Sequence, residues 1–190
     1  VSDWSVLLVG GASGSGKSTL ARPVAAARGA VLVEVDDLVL ATQAVTTPDS
    51  HPDLHHWRRH DADRLGPEGV ADGLITVARA LAPAVDAVIA DRLDAGVPLV
   101  LEGDYLLPEH CARWVERDRR VRAVFVREPD ADRVRRNYLG REPESGDQVR
   151  RAECSAYYGD LLAAEAEKHG LPVFAARPWH DAAERLAALL

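Results

Sequence analysis

Val9-Gly10-Gly11-Ala12-Ser13-Gly14-Ser15-Gly16-Lys17-Ser18-Thr19 follows an apolar run at residues 6–9 and leads into a segment of helical spacing. Residues 11–18 fit the pattern G-x-x-x-x-G-K-[ST], and a strand before it with a helix after it is the context that the pattern requires. Glycines at positions 11, 14 and 16 let the backbone curl, so that the N–H groups of Ala12, Ser13 and Ser15 turn inward. The following helix adds the partial positive charge of its N-terminus. Lys17 contributes a compact, mobile cation and Ser18 a hydroxyl suited to a hard divalent cation. The segment from Gly11 to Thr19 is therefore expected to enclose the phosphates of ATP, with Mg2+ on Ser18. Pro23, a few residues into the helix, is expected to kink it.

Lys17 also stands out from the chain around it. Of 23 basic residues only Lys17 and Lys168 are lysines, so a lysine at this position is an exception to a strong preference for arginine. The net charge of −7 argues against a broad nucleic-acid surface, which needs a basic stripe to neutralise phosphates. A small-molecule partner fits better, and a kinase acting on polynucleotides is disfavoured on the same ground. Cys111 and Cys154 lie far apart without CxxC spacing, which suggests reduced thiols. No continuous apolar run approaches the length of a bilayer span and no leader-like N-terminus is evident, so a cytoplasmic chain without a membrane segment is expected.

Five continuously apolar, β-branched runs, at residues 6–9, 31–35, 97–101, 121–126 and 171–174, suit strands buried on both faces. Helical segments alternate with them. The longest starts after Gly66-Pro67 and stops at Gly96, with Pro83 expected to kink or split it, and the last is expected to open at Asp181. The alternation predicts one α/β domain over residues 1–190 with a parallel sheet and right-handed crossovers. Residues 46–65 and 139–147 fit no core element and are candidate loops over a site.

In such a sheet, ligands bind beyond the carboxyl ends of the strands. Asp36 and Asp37 are expected to end the second strand, and Glu102 with Asp104 the third. One carboxylate there serves to accept the proton of an attacking hydroxyl, and another to hold magnesium through its water. The plainer alternatives are an N-cap for the next helix at Asp36 or Asp37 and a turn residue at Glu102.

The elements GGASGSGKSTLA, VDDL, VLEGDYLLPE and RRNYL, in this order and roughly at these spacings, resemble bacterial 2-phosphoglycerate kinases and related small-molecule P-loop kinases. VEVDDLV and the later GPEGVADGLITVARA are similar to chloramphenicol phosphotransferase. The resemblance implies the P-loop NTPase fold of the nucleoside and nucleotide kinase type, a five-stranded sheet in the order 2-3-1-4-5 with helices on both faces. It also implies ATP with Mg2+ and phosphorylation of a small-molecule hydroxyl, either on a phosphoglycerate-like metabolite or on a natural product such as an antibiotic. Carried over, it makes Asp36 the base and Glu102 the acid that organises magnesium. Tyr105 stands in the EGDYLLP segment, where the phosphoglycerate enzymes tend to carry histidine.

An arginine-bearing lid over residues 133–147 is expected to close on ATP. Arg133 and Arg136 share a helix face with Arg141 beyond them, whereas Arg135 is expected to point elsewhere, and a solvated basic face is the alternative. The stretch 176–179, with Arg177, follows the last strand, where related kinases pass a loop over adenine. Residues 46–65 are read as an acceptor-side flap, with Trp57 for stacking and Arg58, Arg59 and Arg64 for anionic groups, joined by Asp36, Asp37, Asp104 and Tyr105. The four histidines His51, His55, His56 and His60 within that stretch suit a mobile flap or a polar surface better than a metal site. The class that competes with a kinase is an ATPase or nucleotide switch that regulates a partner.

Overall fold

A computed structural model describes residues 4–175 and 177–189. Five parallel strands, β1 (Val6–Gly10), β2 (Val31–Glu34), β3 (Leu99–Gly103), β4 (Val121–Val126) and β5 (Val173–Phe174), form one sheet in the order β2-β3-β1-β4-β5. This is the order that the resemblance implies. β1 lies in the middle, with Val6 in register with Leu99 on one side and Val121 on the other.

The apolar runs lack alternation because both faces of the sheet are covered. Val6 and Leu8 pack with α4 (Pro67–Ala95), α5 (Pro108–Arg117) and α7 (Val149–Lys168), where Leu81, Trp114 and Leu162 join them. Leu7 and Val9 pack on the opposite face with Leu20 of α1 (Lys17–Arg28) and Leu186 of α8 (Ala182–Leu189). The remaining helices are α2 (Val35–Val45), α3 (His56–Arg59) and α6 (Ala131–Arg141).

Several sequence expectations need correction. The second strand stops at Glu34 and α2 begins at Val35, so Asp36 and Asp37 occupy the first turn of a helix rather than a strand end. There the carboxylates complement the N-terminal end of the helix dipole. Neither is the N-cap; that position is Glu34, whose side chain makes no capping bond. The third strand runs to Gly103, which puts Glu102 inside the strand and not in a turn. Pro83 does not split α4, whose 29 residues run unbroken from Pro67 at its first turn to the left-handed Gly96. Pro23 likewise sits inside one continuous α1. A single lost backbone bond is offset when the helix is anchored by a packed face, here Val77, Leu81, Val85, Ile89 and Leu93.

By length and composition alone α4 is apolar enough to cross a bilayer, although Arg79 and Asp86 interrupt its apolar run. In the fold it is the central helix of one face, packed on α2 and α7. Its Asp86 accepts hydrogen bonds at 2.6 Å from both His110 and Trp114 of α5. The loop expected at 139–147 is shorter than its span, because α6 continues through Gly140 to Arg141. Residues 46–65 contain α3 and a 3-10 turn at Ala62–Arg64. The last helix starts just after Asp181, whose carboxylate accepts from Arg185 at 2.9 Å.

Candidate active site

At the carboxyl end of β1 the chain turns through Gly11 (φ 134°), Gly14 (φ 74°) and Gly16 (φ 100°) before α1 begins at Lys17. A side chain at Gly11 would strike the Val126 carbonyl at 2.3 Å, so close packing against β4 and the positive φ both demand glycine there. The loop is braced from outside. Asn137 donates to the Gly14 carbonyl at 2.8 Å, and Tyr138 and Ser155 donate to that of Ser13. These bonds hold the curl of the loop in place; within it the Ser15 N–H donates to the Ala12 carbonyl at 3.3 Å. The buried Ser15 hydroxyl has no partner among the described residues.

A cleft of about 640 Å³ opens over this loop. Lys17 is only 6% exposed; its ammonium group donates to the Ala12 carbonyl at 2.9 Å and forms an ion pair with Asp104. Glu102, 3% exposed at the end of β3, has the Ser18 hydroxyl close enough to favour its charged form. Glu34 stands beside Glu102 in strand register, and its charge acts on both Glu102 and Asp36. Hydroxyl and carboxylate oxygens are the ligand chemistry of Mg2+, which keeps several of its waters. The glycine cradle, the buried ammonium and this oxygen set fit a magnesium-bound polyphosphate.

Burial raises the Glu102 carboxyl above its ordinary range, against the opposing effects of Ser18 and Lys17. A carboxyl raised in the folded state binds its proton more tightly there than in the unfolded chain. Its ionisation therefore lowers stability as pH climbs from the ordinary carboxylate range through the raised value. Glu102→Gln keeps the shape and an acceptor for Ser18. It is expected to raise the Tm of the ligand-free protein at pH 7, and to match the parent below about pH 4, where both carry a neutral side chain. Thermal melts at the two pH values check this.

Asp36 opens onto the same cleft, yet enough protein walls it in to raise its pKa; Asp104 adds to the shift and Lys17 opposes it. Tyr105 is half-buried, its hydroxyl pushed up to about 12 by burial and by Asp36. Of the expected lid arginines, Arg136 and Arg141 line the cleft with Asn137 and Gly140. Arg133 does not: it turns to Asp130 at 3.1 Å and Glu128 at 3.8 Å. Glu128 also takes Arg177 at 3.3 Å, and Arg177 lies over the ring of Trp179. Arg135 donates to the Asp147 carbonyl, away from the cleft. Trp179 itself lines the cleft and abuts Gly16, leaving no room for a side chain at that glycine. Of the stretch 176–179, Ala176 lies outside the described residues.

Residues proposed for the acceptor side divide. Asp36 and Asp104 line the cleft, while Asp37 is exposed outside its wall. Trp57 packs against Gly73 of α4 and lies near the Tyr105 hydroxyl. Arg58 is exposed, and Arg59 is held by the Pro48 carbonyl and Asp49. The histidines of this segment serve local structure: His55 bonds Thr46 at 3.0 Å, and His56 and His60 stack at 4.1 Å. Glu34, Arg22 and Asn137 line the cleft without having been singled out from sequence, whereas Trp179 belongs to the stretch 176–179 that was. Glu34 had a signal, a charged residue in an otherwise apolar run two positions before Asp36.

A family model described as an AAA domain matches residues 6–158. Among solved structures, shikimate kinase from Acinetobacter baumannii in complex with shikimate aligns with a TM-score of 0.58 at 14% identity, covering 99% of this chain and 93% of that one. A sugar kinase from Janibacter sp. aligns with a TM-score of 0.54 at 22% identity, covering 97% and 93%. At these identities the likeness is one of fold, that of P-loop kinases. Comparison with curated protein sequences gives no match. The matched span runs from the first residue of β1 into α7 and takes in the glycine loop, both pairs of carboxylates and α6, so the chain belongs to the AAA domain family.

Proposed function

We propose that the protein is an ATP-dependent kinase that transfers the γ-phosphate to a hydroxyl of a small molecule. The observation that carries this reading is a single cleft lined by Lys17, Ser18, Asp36, Glu102, Arg136 and Arg141. It unites a phosphate cradle, a candidate base and cations facing the transferred group, which are the parts that phosphoryl transfer needs. The fold shared with shikimate and sugar kinases supports it.

In this reading the loop N–H groups and Lys17 hold the β- and γ-phosphates, with Lys17 leaving Asp104 to do so. Ser18 and Glu102, with Glu34 nearby, would hold Mg2+, which would neutralise phosphate charge and help align the nucleotide. Asp36 takes the proton as the acceptor oxygen bonds to the γ-phosphorus, the bond to the bridging oxygen breaks and ADP leaves. Arg136 and Arg141 stabilise the charge on the moving phosphoryl group, and Arg133 and Arg177 brace the nucleotide end through Glu128. Such a kinase would act in the cytoplasm on a metabolite or on a natural product such as an antibiotic. The finer resemblance to phosphoglycerate and chloramphenicol enzymes stands as part of this proposal.

The test is transfer of labelled γ-phosphate from ATP to a whole-cell metabolite extract, with and without Mg2+. Magnesium-dependent labelling of a small molecule is expected. ATP hydrolysis without any labelled acceptor would replace this reading with that of an ATPase.

A further inference from the structure

A second cavity, of about 510 Å³, adjoins the phosphate cleft and shares Ser13 and Asp104 with it. Its size is that of a site for a drug-sized ligand. One wall is apolar, formed by Val70 and Leu74 of α4 and by Tyr138 and Tyr158 of α6 and α7. The position makes it a path to the γ-phosphate, because anything that fills it meets the transfer site at Asp104, beside Asp36.

The polar groups of this cavity discriminate by charge. Asp63, Asp104 and Asp147 face it, and so do Arg150 and Arg151. Both arginines are already engaged. Arg151 pairs with Glu142 at 2.7 Å and lies 4.2 Å over the Tyr138 ring. Arg150 donates to the carbonyls of Ala62 and Leu65, tying α7 to the turn before α4. The carboxylates are less committed: Asp63 makes no ion pair among the described residues, and Asp147 accepts from the backbone N–H of Val149 at 3.2 Å. Arg58, Arg59 and Arg64, the cations that would receive an acid, line neither cavity. A carboxylate or phosphate entering here would lose water and gain like-charged neighbours without a free guanidinium.

We propose that this cavity binds the acceptor, and that the acceptor is a non-anionic alcohol, uncharged or amine-bearing, with an apolar face. Its apolar face lies on Val70 and Leu74, its polar groups meet Asp63 and Asp147, and its reacting hydroxyl reaches past Ser13 and Asp104 toward Asp36. The inference rests on the kinase reading above.

The experiment separates a metabolite extract on anion- and cation-exchange columns before the reaction, then offers each fraction with labelled ATP. Labelling is expected in the unretained or cation-retained fractions. Labelling confined to the anion-retained fraction overturns the substrate class and leaves the kinase reading intact. Labelling in no fraction removes the kinase reading and this inference together. For the location, Val70→Trp is expected to raise the acceptor KM at least tenfold with the KM for ATP unchanged. Ser145→Trp, on the exposed turn that closes the cavity, tests the same point without touching the core. Unchanged acceptor KM in a folded variant of either kind places the acceptor elsewhere.

Discussion

Lys17→Ala is expected to leave a folded protein that no longer transfers phosphate, with turnover down on the order of 10³-fold or more, as expected when a preorganised cation facing developing charge is removed. The side chain is buried, but its charged partner Asp104 lines the open cleft, and the Ala12 carbonyl still accepts from the Ser15 N–H at 3.3 Å. Losing it leaves Asp104 unpaired beside Asp36, and water in the cleft can solvate it. Far-UV circular dichroism should therefore match the parent. The ion pair makes a further distinction possible. In the ligand-free state Asp104 competes with phosphate for Lys17, so Asp104→Asn should bind ATP at least as tightly as the parent. A folded Lys17→Ala variant with normal turnover would overturn the assignment of the phosphate site.

Much of this architecture is legible in the sequence because local chemistry dictates it. Gly11, Gly14 and Gly16 occupy positions where positive φ or close packing excludes side chains, and the spacing to Lys17 and Ser18 follows from the turn they make. β4 is found at the residues read from the sequence, and all five strands fall within or beside the apolar runs. The end of the second strand was not legible. Val35 continues an apolar β-branched run, yet it starts α2, because a fully buried strand residue and the first buried residue of a helix look alike without periodicity to separate them. Neither Pro23 nor Pro83 ends its helix. Intrinsic propensity is outweighed in α1 and α4 by faces anchored in the core.

At the site, residues close in sequence to the phosphate loop were easier to find than those brought in from afar. Asn137 and Tyr138 reach the loop across more than 120 residues, and no spacing rule links them to it. Arg133 and Arg136 share a helix face, but the capping residue Asp130 draws Arg133 back to its own helix start, with Glu128 beyond it. The second cavity was hidden for the same reason. Its walls come from α4, α6 and α7 and from the turn at Ala62–Arg64, so its charge balance exists only in the assembled fold.

Asp36→Asn is expected to lower turnover about 10²- to 10⁴-fold with little change in ATP affinity, since the proton acceptor is lost while the cradle remains. Asparagine keeps the shape and the position in the first turn of α2, so the variant isolates the proton transfer. The pH profile gives an independent readout. Burial and the nearby Asp104 raise the Asp36 carboxyl, so the acid limb of kcat/KM should lie above the ordinary carboxylate range and fall as pH drops through the raised value. In the asparagine variant that limb should vanish from the residual activity, a change that simple misplacement of ATP would not produce. Asp37 faces away from the cleft wall, and Asp37→Asn should retain near-parent rates. Asp104→Asn separates the remaining possibility, because Asp104 lies where both cavities meet and also holds Lys17. If Asp36→Asn keeps its rate and its acid limb while Asp104→Asn loses both, the base is Asp104 and the acceptor enters wholly from the second cavity. If both variants turn over normally on the true acceptor, neither carboxylate takes the proton, and the transfer must proceed with phosphate charge stabilisation alone.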